Sequence, residues 1–265
     1  MEKNKKSKKK QKILLIFLIV LLLATNYSFL DQKIQGLLNE QETGFVERVI
    51  DGDTAVINGS SVRLLGINSP EKKENYFNEA KKFLEENILN KTVTLKFGKQ
   101  KKDQYNRTLA YIFIDDKNIN LELVKEGLAN LYFPSGKDKY YWDFKKAWLD
   151  CLSKEKNLCE KSKDNCSKCI KLKEFDYKNQ RIVFENICGF DCDFNNWEIK
   201  DEGRKKFIFE NFVLKSNEKV ELIVGNKTNT KTILYWKGED YVWTETGDSL
   251  FLRDKEKKLV LFENY

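Results

Sequence analysis

The stretch VIDGDTAVINGSSVRLLGINSPE, residues 49–71, contains two short runs in which apolar and polar residues alternate. The runs TAVI and SVRLLGI have the period of two that half-buried strands show, and the turn sequence NGS joins them. The segment therefore predicts a β-hairpin. Its polar residues lie where a simple hairpin does not need them: Asp51 and Asp53 precede the first run, Arg63 lies inside the second, and Asn68 follows it.

This hairpin opens a longer pattern of strands and helices. Strands are predicted over 44–51, 54–58, 61–67, 92–98 and 108–114, and amphipathic helices over 75–89, 118–127 and 140–152. Five strands interleaved with helices within about 110 residues are typical of an OB-fold barrel.

The last third of the chain has the strand period alone. Seven short strands are predicted in it, with the sequences RIVFENI, NNWEIKD, KKFIFE, KVELIVG, TILYW, SLFLRD and KLVLFE. Such a pattern is typical of an immunoglobulin-like β-sandwich. The predicted fold class is therefore mainly β with some α, an OB-fold barrel with flanking helices followed by an immunoglobulin-like sandwich.

The predicted domain plan has five parts. They are a basic segment with a membrane anchor or signal peptide (1–30), a stalk (31–43), the barrel domain (44–157), a Cys/Lys-rich linker (158–179) and the sandwich (180–265).

The positive charge of the chain is concentrated at its N-terminus. Seven lysines and one glutamate in residues 1–12 contribute +6 to a net charge of +7, which leaves +1 for the rest of the chain. The apolar run ILLIFLIVLLLA, residues 13–24, follows them, and lysines before such a run are typical of an export signal. We expect either an uncleaved anchor or a cleaved signal peptide, with the remaining chain extracellular at the cell membrane or secreted.

Cysteine usage agrees with export. The six cysteines are at positions 151, 159, 166, 169, 188 and 192. We expect disulfides of undetermined connectivity, although the short spacings at 166–169 and 188–192 also suit zinc. The chain has no histidine, which excludes Ser-His-Asp and Cys-His catalysis. Any chemistry must therefore use carboxylates, arginines, tyrosines or a hard metal.

Hard oxygen ligands gather at one end of the predicted hairpin. Asp51, Asp53, Asn68 and the carbonyl of Ser69 are oxygen donors that the hairpin can bring together, as Ca²⁺ requires. This arrangement predicts a calcium site.

Two arginines and a glutamate complete the candidate chemistry. Arg63 presents a fork that matches a phosphate, and Arg107 in DQYNRTLAY can supply a second fork from a neighbouring strand. Glu71, directly after Pro70, would face a water molecule held between metal and phosphate. These residues suit phosphodiester hydrolysis.

The same residues resemble the staphylococcal nuclease (thermonuclease) family. The family pattern of Asp-Gly-Asp-Thr, Arg-Leu-Leu and Asp-Thr-Pro-Glu corresponds here to VIDGDT, VRLLGI and NSPE. The block DQYNRTLAY and the helix LVKEGLANLYF also resemble the family, and the likeness covers residues 44–155.

The resemblance implies a Ca²⁺-dependent nuclease that acts on DNA or RNA. It implies that Asp53, Asn68 and the Ser69 carbonyl hold Ca²⁺ and that Asp51 supports the ion through water. Glu71 would be the general base. The chain departs from the family pattern at Asn68, where the family has Asp, and this loss of charge predicts weaker calcium binding.

The resemblance also assigns the substrate contacts. It implies that Arg63 and Arg107 bind the phosphate and stabilise the charge that develops on it. Tyr105, with Tyr132 or Phe133, would stack on the nucleotide or hydrogen-bond to it.

Residues 181–265 resemble a lamin-tail domain, in the NWEIKD strand and the run VWTETGDSLFLRD. That resemblance implies an adaptor with a protein or surface partner. Two functions are therefore carried forward. The first is an anchored or secreted nuclease, and the second is a catalytically weak or inactive nucleic-acid-binding module tethered to the cell surface.

Overall fold

The computed structural model describes residues 12–16, 18–19, 21–22, 25 and 41–265. The chain divides into two units, residues 1–42 and 43–265. In the first unit the described residues up to Thr25 are helical, and residues 41 and 42 are strand residues. No helix within the described part of the chain is long and apolar enough to cross a bilayer. Much of the predicted anchor and almost all of the stalk lie outside the described residues.

The second unit begins with a closed five-stranded barrel. The barrel strands are β1 (Gln41–Val49), β2 (Thr54–Ile57), β3 (Ser60–Leu64), β5 (Thr92–Lys102) and β6 (Thr108–Ile114), and the small strands of this region are β4 (Gly66–Asn68), β7 (Lys117–Asn118) and β8 (Asn130–Tyr132). The barrel strands lie in the order β3-β2-β1-β5-β6, and a parallel pairing of β3 with β6 closes the ring. This confirms the predicted OB-like barrel.

Three helices flank the barrel: α1 (Phe77–Ile88), α2 (Ile119–Lys125) and α3 (Tyr141–Lys154). The side chain of Asn118 caps α2 by accepting a hydrogen bond from the backbone of Leu121. Gly127 follows α2 with a φ of +63°, and a Cβ there would lie 2.3 Å from the carbonyl oxygen of Lys156. Only glycine therefore suits the end of this helix.

Residues 160–265, here called the C-terminal region, form two four-stranded sheets and a small two-stranded one. The sheet orders are β16-β15-β10-β9, β13-β12-β17-β18 and β11-β14. The strands are β9 (Ile170–Asp176), β10 (Arg181–Asn186), β11 (Cys192–Asp193), β12 (Glu198–Lys200), β13 (Lys206–Ile208), β14 (Val213–Leu214), β15 (Lys219–Val224), β16 (Ile233–Trp236), β17 (Ser249–Arg253) and β18 (Leu259–Asn264). Buried residues from both four-stranded sheets share one core, which includes Phe184, Leu222, Ile199 and Leu252.

The stretch expected to be a linker, residues 158–179, is structured, and that part of the domain plan is corrected. Its strand β9 pairs along its length with β10 and contributes Ile170 to the sandwich core. All six cysteines form disulfides, in the pairs Cys151–Cys159, Cys166–Cys192 and Cys169–Cys188. The expected disulfides are therefore present, and their pairing is defined.

The barrel and the C-terminal region share buried side chains. The ring of Trp148 on α3 meets the rings of Phe251 and Phe262 edge-on, each at a centroid distance of 5.6 Å. Phe251 and Leu259 belong to the same core cluster as the barrel residues. This packing holds the C-terminal region against the barrel and brings one of its loops to the predicted site.

Candidate active site

The centre of the site is an ion pair between Asp53 and Arg63. The register of the hairpin places Arg63 opposite Thr54 and therefore beside Asp53. The Nε atom of Arg63 lies 3.1 Å from Oδ1 of Asp53, its Nη2 donates to Oδ1 of Asn68 at 3.3 Å, and its Nη1 donates to the carbonyl of Leu64 at 2.5 Å. All three guanidinium nitrogens therefore have protein partners.

The other carboxylate oxygen of Asp53 fixes the loop that follows β4. It accepts hydrogen bonds from the backbone N–H of Ser69 at 2.8 Å and from its hydroxyl at 3.0 Å. Gly52 makes this close approach possible, because a Cβ there would lie 2.8 Å from that of Ser69 and 2.7 Å from that of Ala80. The acidic turn is thus packed directly against α1.

The oxygen donors of this cluster fit a cation. Oxygens of Asp53 and Asn68 converge on one positive group, which in this structure is the guanidinium of Arg63. Asp51 lies beside them, and burial raises its pKa, with a further rise from the charge of Asp53. No three carboxylates come within ligand distance of one another among the described residues.

A cleft of about 410 Å³ lies beside the ion pair. Five of the predicted site residues line it, namely Arg63, Tyr105, Arg107, Tyr132 and Phe133. The predicted phosphate and nucleotide contacts are thus brought to one surface.

Within the cleft, Arg107 and Tyr105 form one edge. The Nε atom of Arg107 lies 2.7 Å from Oδ2 of Asp103, whose other oxygen accepts a hydrogen bond from the Arg107 backbone. The ring of Tyr105 is 70 % exposed, and its centroid lies 5.4 Å from the guanidinium carbon of Arg107. An open ring beside an arginine is available to stack on a base.

The two remaining aromatic residues differ in exposure. The ring centroid of Tyr132 lies 5.9 Å from the guanidinium carbon of Arg63, and the residue is half-buried. Phe133 is buried, and its ring packs edge-on against Tyr141 and Phe144. Tyr132 is therefore better placed than Phe133 for contact with a substrate.

The candidate base Glu71 is paired with a residue that sequence reasoning missed. Its Oε1 lies 2.8 Å from Nη2 of Arg204, which belongs to the loop of residues 201–205, here called the covering loop. In the same loop the carbonyl of Gly203 accepts a hydrogen bond from Nδ2 of Asn68 at 2.7 Å. The covering loop therefore contacts both a predicted metal ligand and the predicted base.

Buried acids hold the covering loop in place. Glu202 accepts a hydrogen bond from the backbone of Phe133 at 2.9 Å, and the carboxylate of Asp201 accepts one from the backbone of Lys205 at 2.9 Å. Burial raises the pKa of Asp201 to about 7 and that of Glu202 to about 8, and the charge of Asp248 adds to both shifts. The sequence KDEGRKK carried no signal for this role, because a charged run around a glycine is typical of an ordinary turn.

The closed barrel defines the chain as an OB-barrel protein, and its buried Asp53–Arg63 pair adjoins the cleft that Arg107 also lines. The family model described as "Staphylococcal nuclease homologue" matches residues 61–161. The chain belongs to this family.

Named relatives agree with this membership. The chain is 37 % identical over 130 residues to a thermonuclease of Staphylococcus intermedius, covering 45 % of this chain and 77 % of that one. It is 36 % identical over 137 residues to a thermonuclease of Staphylococcus hyicus, covering 48 % and 81 %. It is also 34 % identical over 125 residues to an uncharacterized endonuclease of Haemophilus influenzae, covering 45 % and 69 %.

Proposed function

We propose that the chain is a Ca²⁺-dependent nuclease that hydrolyses phosphodiester bonds of DNA and RNA outside the cell. One observation carries the proposal: Arg63 and Arg107 line the same cleft, and the first of them is held by the two residues expected to bind the metal, Asp53 and Asn68. Two arginine forks on one cleft match the oxygens of a phosphodiester.

In this proposal the arginines bind and orient the phosphate. Arg63 and Arg107 stabilise the charge that develops on the phosphoryl oxygens as the bond breaks, a contribution that is strongest in a partly buried site. Tyr105 and Tyr132 flank these arginines and hold the neighbouring base by stacking.

The donor set of the acidic turn would hold the metal. Asp53, Asn68 and the carbonyl of Ser69 would ligate Ca²⁺, and Asp51 would support it through water. When bound, the ion polarises the phosphate and its bound water. Glu71 removes a proton from the attacking water once its carboxylate is released from the ion pair with Arg204.

A second function, a tethered nucleic-acid-binding module with weak or no catalysis, is favoured by a different observation. Every nitrogen of Arg63 has a protein partner, and Glu71 is paired with Arg204. A site whose charges satisfy one another can bind a polyanion without cutting it.

The location and the tail are also proposals. Disulfides form and persist in an oxidising compartment. The three disulfides therefore agree with an exported chain that is anchored or secreted through its N-terminal segment. The two packed sheets of the C-terminal region agree with a lamin-tail domain that has a protein or surface partner.

The test is hydrolysis of single-stranded DNA and RNA by the full chain in millimolar Ca²⁺. We expect cleavage that stops in excess chelator and returns when Ca²⁺ is restored. The variant Glu71→Gln should bind the same oligonucleotides without cutting them, and Glu79→Gln, on the first turn of α1, is the matched control that should cut normally. Binding without cleavage by the unaltered chain would establish the binding module instead.

A further inference from the structure

A second cavity lies where the barrel meets the C-terminal region. Its volume is about 150 Å³, against the roughly 10–15 Å³ that one water molecule requires. Residues of the barrel region, including Lys73, Glu74 and Asn130, line one side, and residues of β12, β13 and β17 line the other. It shares none of its lining residues with the cleft of Arg63 and Arg107.

An arginine with an unused donor group lies in the wall of this cavity. Arg253 on β17 is only 4 % exposed. Its Nη1 donates to the carbonyls of Leu158 and Lys257 at 2.8 and 3.1 Å, but its Nη2 has no hydrogen-bond partner in the part of the chain that the structure describes. A buried cationic donor without an acceptor is costly unless a ligand supplies one.

The charges around this arginine are predominantly positive. The lining holds four lysines and Arg253 against two carboxylates, an excess of three positive charges, and the lysines are Lys73, Lys200, Lys206 and Lys257. Both carboxylates are already paired: Glu74 lies 3.1 Å from Lys200 and 3.2 Å from Lys206, and Glu198 lies 2.9 Å from Lys257. Burial acts to raise the pKa of Glu74, but these lysines lower it to about 2. The charges of Glu198 and Glu74 act on Arg253 from a distance, but both acids form their ion pairs with lysines and not with its guanidinium.

A second buried group points to the same conclusion. Asn130 lines the cavity, and its Oδ1 has no hydrogen-bond partner within the described residues. Because an amide can turn by half a revolution, Asn130 can offer its NH₂ group to a ligand. Strand β8 pairs Asn130 with Asn68, so this cavity lies one strand away from the candidate metal ligands.

We propose that this cavity is a second anion site that binds a phosphate group. Arg253 and Asn130 would contact the phosphate oxygens, while Lys200, Lys206 and Lys257 surround it with positive charge. The phosphate is that of inorganic phosphate or the terminal phosphate of a nucleotide. Because its lining comes from both regions, the ligand would also join the C-terminal region to the barrel.

The test measures binding of inorganic phosphate and of a nucleoside monophosphate to the full chain by calorimetry, without Ca²⁺. The starting variant is Arg63→Ala with Arg107→Ala, which removes the arginines of the cleft and leaves the cavity intact. We expect saturable phosphate binding by this variant. Adding Lys206→Ala and Lys257→Ala should weaken it by about tenfold or more, as the loss of charge-assisted contacts requires.

Two controls separate the outcomes. Lys255→Ala, on an exposed lysine that does not line the cavity, should leave phosphate affinity unchanged, and Arg253→Gln should abolish binding provided that its far-ultraviolet spectrum stays native. Tighter binding of the nucleotide, lost in the same lysine variants, would identify a nucleotide as the ligand, and equal binding would identify inorganic phosphate. Absence of saturable binding, or affinity that Lys206→Ala with Lys257→Ala does not change, would overturn the proposal. Loss of nuclease activity would not bear on it.

Discussion

Asn68 is the residue at which the barrel and the covering loop meet. Its Oδ1 accepts from Arg63, and its Nδ2 donates to the carbonyl of Gly203. An aspartate could keep the first contact but would oppose the second with a carboxylate. The amide of Asn68 is thus suited to its hydrogen bond with the covering loop. From the sequence pattern alone, this residue was recognised only as the loss of a negative charge.

Replacing Asn68 by Asp should therefore have two opposite effects. We expect the free energy of unfolding to fall by about 1–3 kcal/mol, because a buried carbonyl loses its donor. We also expect the Ca²⁺ concentration for half-maximal cleavage to fall, because a carboxylate adds ligand charge. Urea unfolding and calcium titration of activity measure the two effects.

Asn87→Asp is the matched control, since the side chain of Asn87 also donates to a backbone carbonyl, that of Phe83, but lies on α1 away from the site. It should leave the calcium curve unchanged. An unaltered calcium curve in Asn68→Asp would remove Asn68 from the ligand set.

The arginines of the cleft depend on geometry as well as charge. Arg63→Lys and Arg107→Lys keep a positive charge but lose the planar fork, so turnover should fall by roughly 10² to 10³, as for loss of an oxyanion donor. Initial rates on a defined oligonucleotide test this. The control variant Arg48→Lys, at an exposed barrel position, should have normal turnover. Near-normal rates in both Arg63→Lys and Arg107→Lys would contradict the mechanism.

Residue types and spacing were sufficient to predict most of the candidate site. The hairpin register brings Asp53 and Arg63 together, and both arginines line one cleft, because neighbouring strands of a closed barrel are related by fixed hydrogen bonds. Gly203 and Arg204 were not predictable. They lie more than 130 positions after Asn68 and Glu71 in the sequence, and only the packing of the C-terminal region brings them to the site.

The covering loop contacts Glu71 through the side chain of Arg204. We expect Arg204→Ala to raise turnover by up to about fivefold. The exposed ion pair between Arg204 and Glu71 contributes about 0.2–1 kcal/mol, and this contact must be broken before Glu71 can bind the attacking water. Steady-state kinetics would show the change in turnover. Lys215→Ala removes a similarly exposed pair, with Asp191, and should have no effect. A lower rate in Arg204→Ala would mean that the arginine assists the reaction.

The buried acids of the covering loop and its neighbour Asp248 predict an unusual pH dependence of stability. The pKa values of Asp201, Glu202 and Asp248 are raised to about 7, 8 and 6. The folded state therefore holds protons that the unfolded state releases near pH 4, so the stability from these groups is complete at low pH and declines as the pH rises from about 4 to 8. The pKa of Glu74 is lowered to about 2, so its effect on stability has the opposite sign. Its contribution to the free energy of unfolding is lost as the pH falls below about 4.5.

We therefore expect the free energy of unfolding, measured by denaturant titration with intact disulfides, to decrease between pH 5 and pH 8. Glu202→Gln should flatten this slope, because its amide needs no proton to stay neutral. Glu263→Gln, at an exposed position on β18, should retain the slope. Stability that rises over this range would show that the acids are ionised in the folded protein.

At the level of elements, periodicity predicted the longer strands and helices better than the short ones. All seven strands expected in the C-terminal region are present, because each is long enough to alternate. The two-residue strands β11 and β14 were missed, since two residues define no period. Strand β9 was taken for linker because lysines and acids fill its outward positions, although Ile170 and Leu172 point to the core side.

The whole of residues 43–265 should unfold as one cooperative unit. Phe251 lies on a C-terminal strand but packs on Trp148 in the barrel core, so Phe251→Ala should cost about 3–5 kcal/mol. We expect a single transition, shifted to lower denaturant, for both barrel and sandwich signals. Phe190→Ala, at an exposed ring, should change stability by about 0.5 kcal/mol or less. Two separate transitions, with the barrel unaffected, would contradict the shared core.

Sequence reasoning predicted the barrel and the seven longer strands of the C-terminal region, but not the packing of the two regions against each other. The strands of each region follow from the local alternation of apolar and polar residues. The docking of the two regions depends instead on which of their outward-facing surfaces are apolar. No sequence pattern showed whether Trp148 and Phe262 are buried within their own regions or at the contact between the two regions.

The shared core also sets an order of events in biosynthesis. Leu259, on β18, belongs to the barrel core. A chain is made from its N-terminus, so the barrel strands emerge first and their packing is complete only after β18 has been added. Loss of β18 would thus disturb the surroundings of candidate site residues such as Arg63, which were synthesised much earlier.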